Sequence, residues 1–470
     1  METLVRALGK TPPGGLPTVS ITSVQLRPDR CGPGALFLPV QASLPASLEA
    51  QAIAMAAQRG ASAAFTNLRE LPFRSPIPVM HAGPTIDVLA ALARQARSEY
   101  RGRLVAITGS VGKTTTKDLT HHVLSFAGST HKMSGNFNTL PGVCHAMINR
   151  PLASRFGVME LAATQPGHMM KARIVRPHVG VVTNTGVSHL QNFGTASDVR
   201  REKLSLFDHL NGEGTAIVHR SVLAADDAGD RLIRAKNLAR LIVVGDSPDD
   251  DVYLCDTTFD GAATEGSMSI LGRRYRFRLN LPARHFAENA MFAMAVAAAL
   301  GLDVEGLIPA LATAPTTIRR FQRYRVTIPG GSIELIDDAY NAAPASVAAM
   351  LDSFARRIAA RKVLVLGDML ELGSESARSH EEVAPQIVDA GIGLVVTIGD
   401  LARLAAPRDI DTAHFTDAAS AAASLPSLLR PNDLVAVKAS NAVGLGAAVV
   451  AILRMGGASH AGAWRIEDEG

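Results

Sequence analysis

The sequence predicts an α/β protein of three domains: a central P-loop domain with a doubly wound, mostly parallel sheet, a small α/β unit before it and a Rossmann-like domain after it. Three observations predict this. At about 150 residues per domain, 470 residues make roughly three. Apolar, β-branched runs alternate with helical patterns, as in parallel sheets covered by helices. A glycine-rich turn also separates a strand pattern from a helix pattern at 109–112, where the free N–H groups of a helix start can receive an anion.

The first domain is expected over residues 1–100. It has short apolar runs at 19–24, 35–40 and 61–65 and helical stretches at 47–58 and 85–100. The second, 101–314, opens with the strand 103–108, the glycine turn and a helix from Lys113 to Phe126. Further strands are expected at 157–161, 179–184, 215–218 and 241–245, and an alanine-rich helix from Ala287 to Leu300 meets Gly301 as its stop. Alternating Arg274, Arg276 and Arg278 read as the wet face of an edge strand. The third domain, 315–470, begins in a Thr-rich linker with a basic cluster (Arg319, Arg320, Arg323, Arg325). Its strands, 333–336, 363–366, 394–398 and 434–437, each end in polar residues. In open α/β sheets ligands bind beyond those carboxyl ends.

Composition narrows the function. The chain is 47% hydrophobic and 19% charged, enough to build a core. Aromatics are 4%, too few for a stacking platform along single-stranded nucleic acid, and no nucleic-acid partner is expected. The longest run without a polar residue, Ala290 to Leu302, is 13 residues, short of the roughly 18 that span a bilayer. The N-terminus lacks a signal-peptide core, and three scattered cysteines form neither a disulfide framework nor a zinc spacing. A cytoplasmic monomer is the expectation. The net charge of +4 suits anionic substrates without deciding for them. Only 9 of the 47 basic residues are lysine, so lysines at strand ends and loops stand out.

The strongest motif is Thr108-Gly109-Ser110-Val111-Gly112-Lys113-Thr114-Thr115-Thr116. Glycines let the backbone wrap a phosphate, Lys113 neutralises its charge, and the Thr114 hydroxyl can reach Mg²⁺. Ile107 stands where the full Walker spacing has glycine, so this is the shorter G-x-x-G-K-T form. A chance glycine turn is the competing reading.

Other strings follow in order: Gly135-Asn136-Phe137-Asn138, Met159-Glu160-Leu161, Thr183-Asn184, Ser188-His189-Leu190, Arg284-His285, Asn289, Asp337-Asp338-Ala339-Tyr340-Asn341-Ala342-Ala343-Pro344 and Leu366-Gly367-Asp368-Met369-Leu370-Glu371-Leu372-Gly373. With the short loop, which folylpolyglutamate synthetases share, residues from about 100 to 440 closely resemble the Mur ligases. Within them the match is to the branch that adds D-alanyl-D-alanine to UDP-N-acetylmuramoyl-tripeptide. The resemblance implies an ADP-forming amide ligase that activates an acid with ATP as an acyl phosphate and then admits an amine or dipeptide. It implies that Lys113 holds the β- and γ-phosphates, with Thr114 and Glu160 on one Mg²⁺. His189 and a carbamylated Lys203 would share a second. Asn289 would contact adenine, Arg320 would cross from the third domain to the phosphates, and Asp338, Tyr340 and Asn341 would line the cleft. A surface lysine is the competing reading for Lys203, because Leu204 and Ser205 depart from the family there. A helix-capping carboxylate competes for Glu160 and an ordinary loop histidine for His189. His380 matches a family position after the Glu371-Leu372-Gly373 string, with a helix-surface histidine as the competing reading. Asp337 is expected to do no more than end its strand.

The resemblance thins toward both co-substrates. The family's Asp-Ser-Arg string reads Gln25 to Arg30 here, its Asp-Gly-His string is not found, and its Lys-Gly-Ser-Arg reads Lys438-Ala439-Ser440-Asn441. Phe286 replaces a common Asn beside the nucleotide. Two alternatives stay open: a Mur-type paralogue joining a different acid and amine, and a nucleotide-binding protein without ligase activity.

Overall fold

The structure, a computed structural model, describes residues 19–40, 45–81, 83–135, 137–186, 190–212, 214–223, 238–259, 263–281 and 283–456. It contains three sheets, one per domain. The first is four short parallel strands in sequential order: β1 (Ser23–Gln25), β2 (Ala35–Phe37), β3 (Ala63–Phe65) and β4 (Val79–Met80). Helices α1 (Ala46–Gln58) and α2 (Thr85–Glu99) accompany them. β4 was not expected: it is two residues long and follows Pro76 and Pro78 directly. It lies at the sheet edge, where proline is tolerated.

The central sheet has nine strands in the order β13-β12-β11-β10-β9-β8-β5-β7-β6. At its heart β5 (Arg103–Thr108) runs parallel to β7 (Phe156–Glu160) and β8 (Val179–Val182). β6 (Thr130–Lys132), β9 (Thr215–His219), β10 (Arg240–Gly245) and β11 (Val252–Phe259) continue the parallel sheet on its flanks. β12 (Thr264–Ile270) and β13 (Arg273–Leu279) then turn antiparallel. β13 is the edge, with Arg274, Arg276 and Arg278 exposed and Phe277 and Leu279 buried. From β5 the chain passes through the glycine loop into α3 (Lys113–Ala127), the P-loop helix. α4 (Leu140–Ile148), α5 (Ala172–Val175) and α6 (Ala196–Leu204) follow. α7 (Arg284–Ala299) starts a turn earlier than expected, packs against α3, and is followed by Gly301 at φ +69°.

The third sheet runs β14-β15-β19-β16-β17-β18. Its strands are β14 (Gln322–Ile328), β15 (Gly331–Asp337), β16 (Arg361–Gly367), β17 (Leu394–Ile398), β18 (Thr412–Phe415) and β19 (Asp433–Lys438), all parallel except β14. One expectation is corrected. Arg323 and Arg325 lie on edge strand β14, not in a linker, and Arg323 is hydrogen-bonded to Glu334 of β15. Their side chains occupy the solvent-facing alternation of a half-buried strand.

The first and second domains meet at a joint of two buried guanidinium groups. Arg97 donates to the carbonyls of Val175 (2.6 Å) and Arg176 (2.9 Å), and Arg150 to those of Met147 and Ala96 (2.6 Å each). These carbonyls end α2, α4 and α5, where the helix dipole favours a cation. Arg150 also lies 4.9 Å over the ring of Tyr100. Beside them the Asn149 amide accepts from Val24 N–H and donates to its carbonyl, both at 2.8 Å, like an added rung on β1.

Candidate active site

The glycine loop is built for an anion and braced from β8. Gly109 and Gly112 have φ of +154° and +81°. A side chain at Gly109 would collide with Thr183, and one at Gly112 would come within 2.6 Å of Asn289 Oδ1. Asn184 Oδ1 accepts from the N–H groups of Ser110 and Val111, both at 3.0 Å, and Thr183 Oγ1 donates to the Val111 carbonyl at 2.7 Å. Lys113 Nζ donates to the loop's own carbonyls at Gly109 (2.8 Å) and Ser110 (2.9 Å). Burial lowers the pKa of this lysine, with Glu160 opposing and Arg320 adding to the effect. A phosphate oxygen is a stronger, charged acceptor than either carbonyl.

Glu160, at the end of β7, is 1% exposed. Its Oε2 accepts from Thr114 Oγ1 (2.7 Å) and its Oε1 from Asn138 Nδ2 (2.8 Å), with Lys117 Nζ 3.8 Å away. Among the described residues it caps no helix N-terminus. A hydroxyl and a carboxylate side by side are hard oxygen donors, the set Mg²⁺ takes when phosphates and water complete its shell. Among the described residues no cluster of three or more His, Cys, Asp or Glu gathers, so the donors do not suit a softer metal held wholly by protein. His189 lies outside the described residues.

Lys203 is not a surface lysine. It sits near the end of α6, 1% exposed, with no hydrogen-bond partner among the described residues. Burial first, and then the charge of Lys113, bring its pKa down to about 7. Burial likewise brings neighbouring Lys171 to about 8.

The third domain faces this loop across a cleft of about 890 Å³ that Lys113, Thr114, Glu160, Asn184, Asn289, Arg320, Asp338 and Lys438 help to line. Arg320 Nη2 donates to Thr114 Oγ1 at 3.0 Å, and its guanidinium lies 4.2 Å over the Tyr340 ring. Asp338 accepts from Lys438 Nζ at 2.6 Å, and Lys438 also donates to the Asn341 carbonyl at 3.1 Å. Asn289 accepts from Thr116 Oγ1 at 3.0 Å, beside His285 and Phe286. Burial pulls His285 down to about 4, so it is neutral near pH 7.

Two neighbouring residues shape the ends of strands. Asp337 ends β15: it is fully buried, its Oδ1 accepts from Ala339 N–H two residues on, and burial pushes its carboxyl up to about 6. His380 is buried, not on a helix surface. Its Nε2 accepts from Met369 N–H at 2.9 Å and its Nδ1 donates to the Ser376 carbonyl at 2.7 Å, so it shapes the loop after β16.

The sequence reading gave no role to Lys117, Asn138 or Lys438. Scarce lysine was the available signal: Lys113, Lys117, Lys171, Lys203 and Lys438 all lie in or around this site, and the last four are at most 5% exposed.

A phosphate loop and a Rossmann-like domain, each offering charged groups to one cleft, define an enzyme of two facing halves. Residues 107–297 match the Mur ligase middle domain and residues 319–441 match the Mur ligase, glutamate ligase domain. The chain is 31% identical over 390 residues to the UDP-N-acetylmuramoyl-tripeptide--D-alanyl-D-alanine ligase of Synechocystis, covering 80% of this chain and 82% of that one. To the Mycobacterium tuberculosis protein of the same name it is 31% identical over 405 residues, covering 79% and 78%. The chain belongs to the Mur ligase family. In fold it is similar to MurF from Acinetobacter baumannii (TM-score 0.84, 24% identity, 96% of this chain and 98% of that one). It is also similar to MurF ligase from Thermotoga maritima in complex with ADP (TM-score 0.79, 24% identity, 94% and 99%).

Proposed function

We propose that this chain is the ADP-forming ligase that joins D-alanyl-D-alanine to UDP-N-acetylmuramoyl-tripeptide in peptidoglycan synthesis. The observation that carries the reading is the meeting of Lys113, Thr114 and Glu160 with Arg320 from the opposite domain, in a chain 31% identical to relatives bearing that name. The tripeptide carboxylate attacks the γ-phosphate of ATP, giving an acyl phosphate and ADP. The dipeptide amine then attacks the acyl carbon and expels phosphate. Such chemistry asks the protein chiefly for position and charge.

Lys113 and Arg320 offset negative charge at the phosphates from opposite sides. Asn138 and Lys117 hold Glu160 in orientation, and Asn184 keeps the loop amides in register. Lys438 fixes Asp338 toward the cleft. Asn289 and His285 border the adenine end. Thr114, Glu160, His189 and a carbamylated Lys203 would hold Mg²⁺, which supplies further neutralisation of phosphate charge when bound. No helix among the described residues is long and apolar enough to cross a membrane, and the reaction takes its ATP from the cytoplasm.

A paralogue for another acid is favoured by one observation. In the stretch that replaces the family's Asp-Ser-Arg string, Arg27 is paired with Asp29 at 2.9 Å on the surface. Calorimetry separates the readings. The expected result is UDP-N-acetylmuramoyl-tripeptide binding with Kd on the order of micromolar, and phosphate release that requires acid, amine and ATP together. No heat of binding would transfer the reading to the paralogue. Nucleotide binding without phosphate release for any acid and amine would leave a scaffold.

A further inference from the structure

We infer that Asp118 and Thr317 form a pin that positions Arg320 over the phosphate loop, with His122 anchoring the same segment further back. The inference rests on the ligase reading for its consequence in turnover, not for its geometry. Thr114, Asp118 and His122 are spaced by four on α3, so they share one face, about 12 Å from end to end. Each holds one point of the segment between the second and third domains, in reverse order. His122 Nε2 donates to the Ala310 carbonyl at 2.9 Å, with Thr313 Oγ1 3.0 Å away. Thr317 Oγ1 donates to Asp118 Oδ2 at 2.8 Å. Arg320 Nη2 donates to Thr114 Oγ1 at 3.0 Å. The segment is thus laid antiparallel along the helix that begins at the phosphate loop.

The middle contact has the properties of a fixed point. Asp118 is held from its other oxygen by Lys132 Nζ at 2.7 Å, with Lys117 Nζ 3.9 Å away. Its acceptor cannot swing to follow the segment. Immediately beyond Thr317 the chain turns sharply: the Arg320 amide donates to the Thr317 carbonyl at 3.1 Å. Arg319 and Phe321, on either side of Arg320, have φ of +56° and +59°. Left-handed backbone is unfavourable for residues with a β-carbon and persists where surrounding contacts over-determine it. Phe321 is anchored in the core at 1% exposure, and Thr317 is anchored by Asp118. Between those two anchors the turn aims Arg320 back at Thr114. Arg320 Nε is buried with no partner among the described residues, leaving a donor for a further acceptor in the cleft. Asp118 and Thr317 touch no reacting atom in this account: they are positioning residues.

The test is Thr317→Val, which removes the hydroxyl and keeps the shape. The variant is expected to melt like the parent, to exchange the Arg320 amide hydrogen about tenfold faster, and to lose on the order of 10- to 100-fold in kcat. Asp118→Asn, which keeps one acceptor but loses the pairing with Lys132 that fixes it, should lie between the parent and Thr317→Val in kcat. In an Arg320→Ala background Thr317→Val should cause no further loss, because its effect passes through that guanidinium. An unchanged amide exchange rate, a full kcat in Thr317→Val, or an additive loss in the Arg320→Ala background would overturn the inference. A parent enzyme that releases no phosphate would overturn the ligase reading instead, and the exchange rate would still decide the pin.

Discussion

Lys113→Ala is expected to reduce phosphate release by at least about 10³-fold while the protein stays folded. Among the described residues the Lys113 ammonium donates to two carbonyls of its own loop, and its stem belongs to no hydrophobic cluster there. The loop itself is braced elsewhere, by Asn184 and Thr183. Removing the ammonium therefore takes a charge from the phosphates and little from the fold. Lys113→Arg is expected to rescue poorly, because a forked planar cation does not fit a cradle shaped for a point charge. The measurement is coupled phosphate release beside a thermal melt. A folded variant that turns over ATP normally would remove the loop from the mechanism.

Lys203→Ala is expected to lose most activity, and added formate or acetate to restore part of it. An ammonium buried at 1% exposure near Lys113 and Lys171 is disfavoured, and its pKa falls to about 7. The neutral amine that results can add CO₂, giving a carbamate and releasing one proton. The sign follows from the depressed value. Below about pH 7 the lysine is protonated and cannot react, and above it the amine is free, so carbamate content and activity should rise together as pH passes through that region. A small carboxylate can occupy the space left by the truncated side chain and supply the lost oxygens. Full activity in the variant, or activity indifferent to bicarbonate across that range, would sink the idea.

How much of this was legible depended on whether the determining residues were neighbours in sequence. Strands β5 and β17 match the expected ranges because they are buried, β-branched runs bounded by glycine or polar residues. The phosphate loop is local, so its residues were legible one by one. β14 was not, because on an edge strand the exposed Arg323 and Arg325 outweigh the few apolar positions, and an alternating strand then looks like a basic linker. The antiparallel β11–β12 pair failed for the same reason, with much of β11 half-buried or exposed. In the site, Asp338 was visible as part of a string, but its partner Lys438 is 100 residues away and only the order of strands in the third sheet brings them together. Asn138 and Lys117 reach Glu160 through β7, again a matter of topology rather than spacing.

Acid acts on the two seams of the molecule through different groups. At the seam between the first and second domains the guanidinium groups, backbone carbonyls and Asn149 amide gain no proton in the acid range, but His178, which accepts from Leu104 N–H beside Arg97, does so once pH falls to the value of about 4 to which burial brings it. The seam toward the third domain includes the Asp118 carboxylate. Burial pushes that carboxyl up, but Lys117 and Lys132 outweigh it and hold its pKa below the ordinary range. Its contribution is therefore whole above about pH 4 and is lost as pH falls through the depressed value. Acidification should therefore release the segment that Asp118 holds as its carboxylate is neutralised. In limited proteolysis at falling pH, cuts near Thr317 are expected to appear only below about pH 4, and a segment cut equally well at neutral pH, or left uncut in acid, would contradict the role given to Asp118.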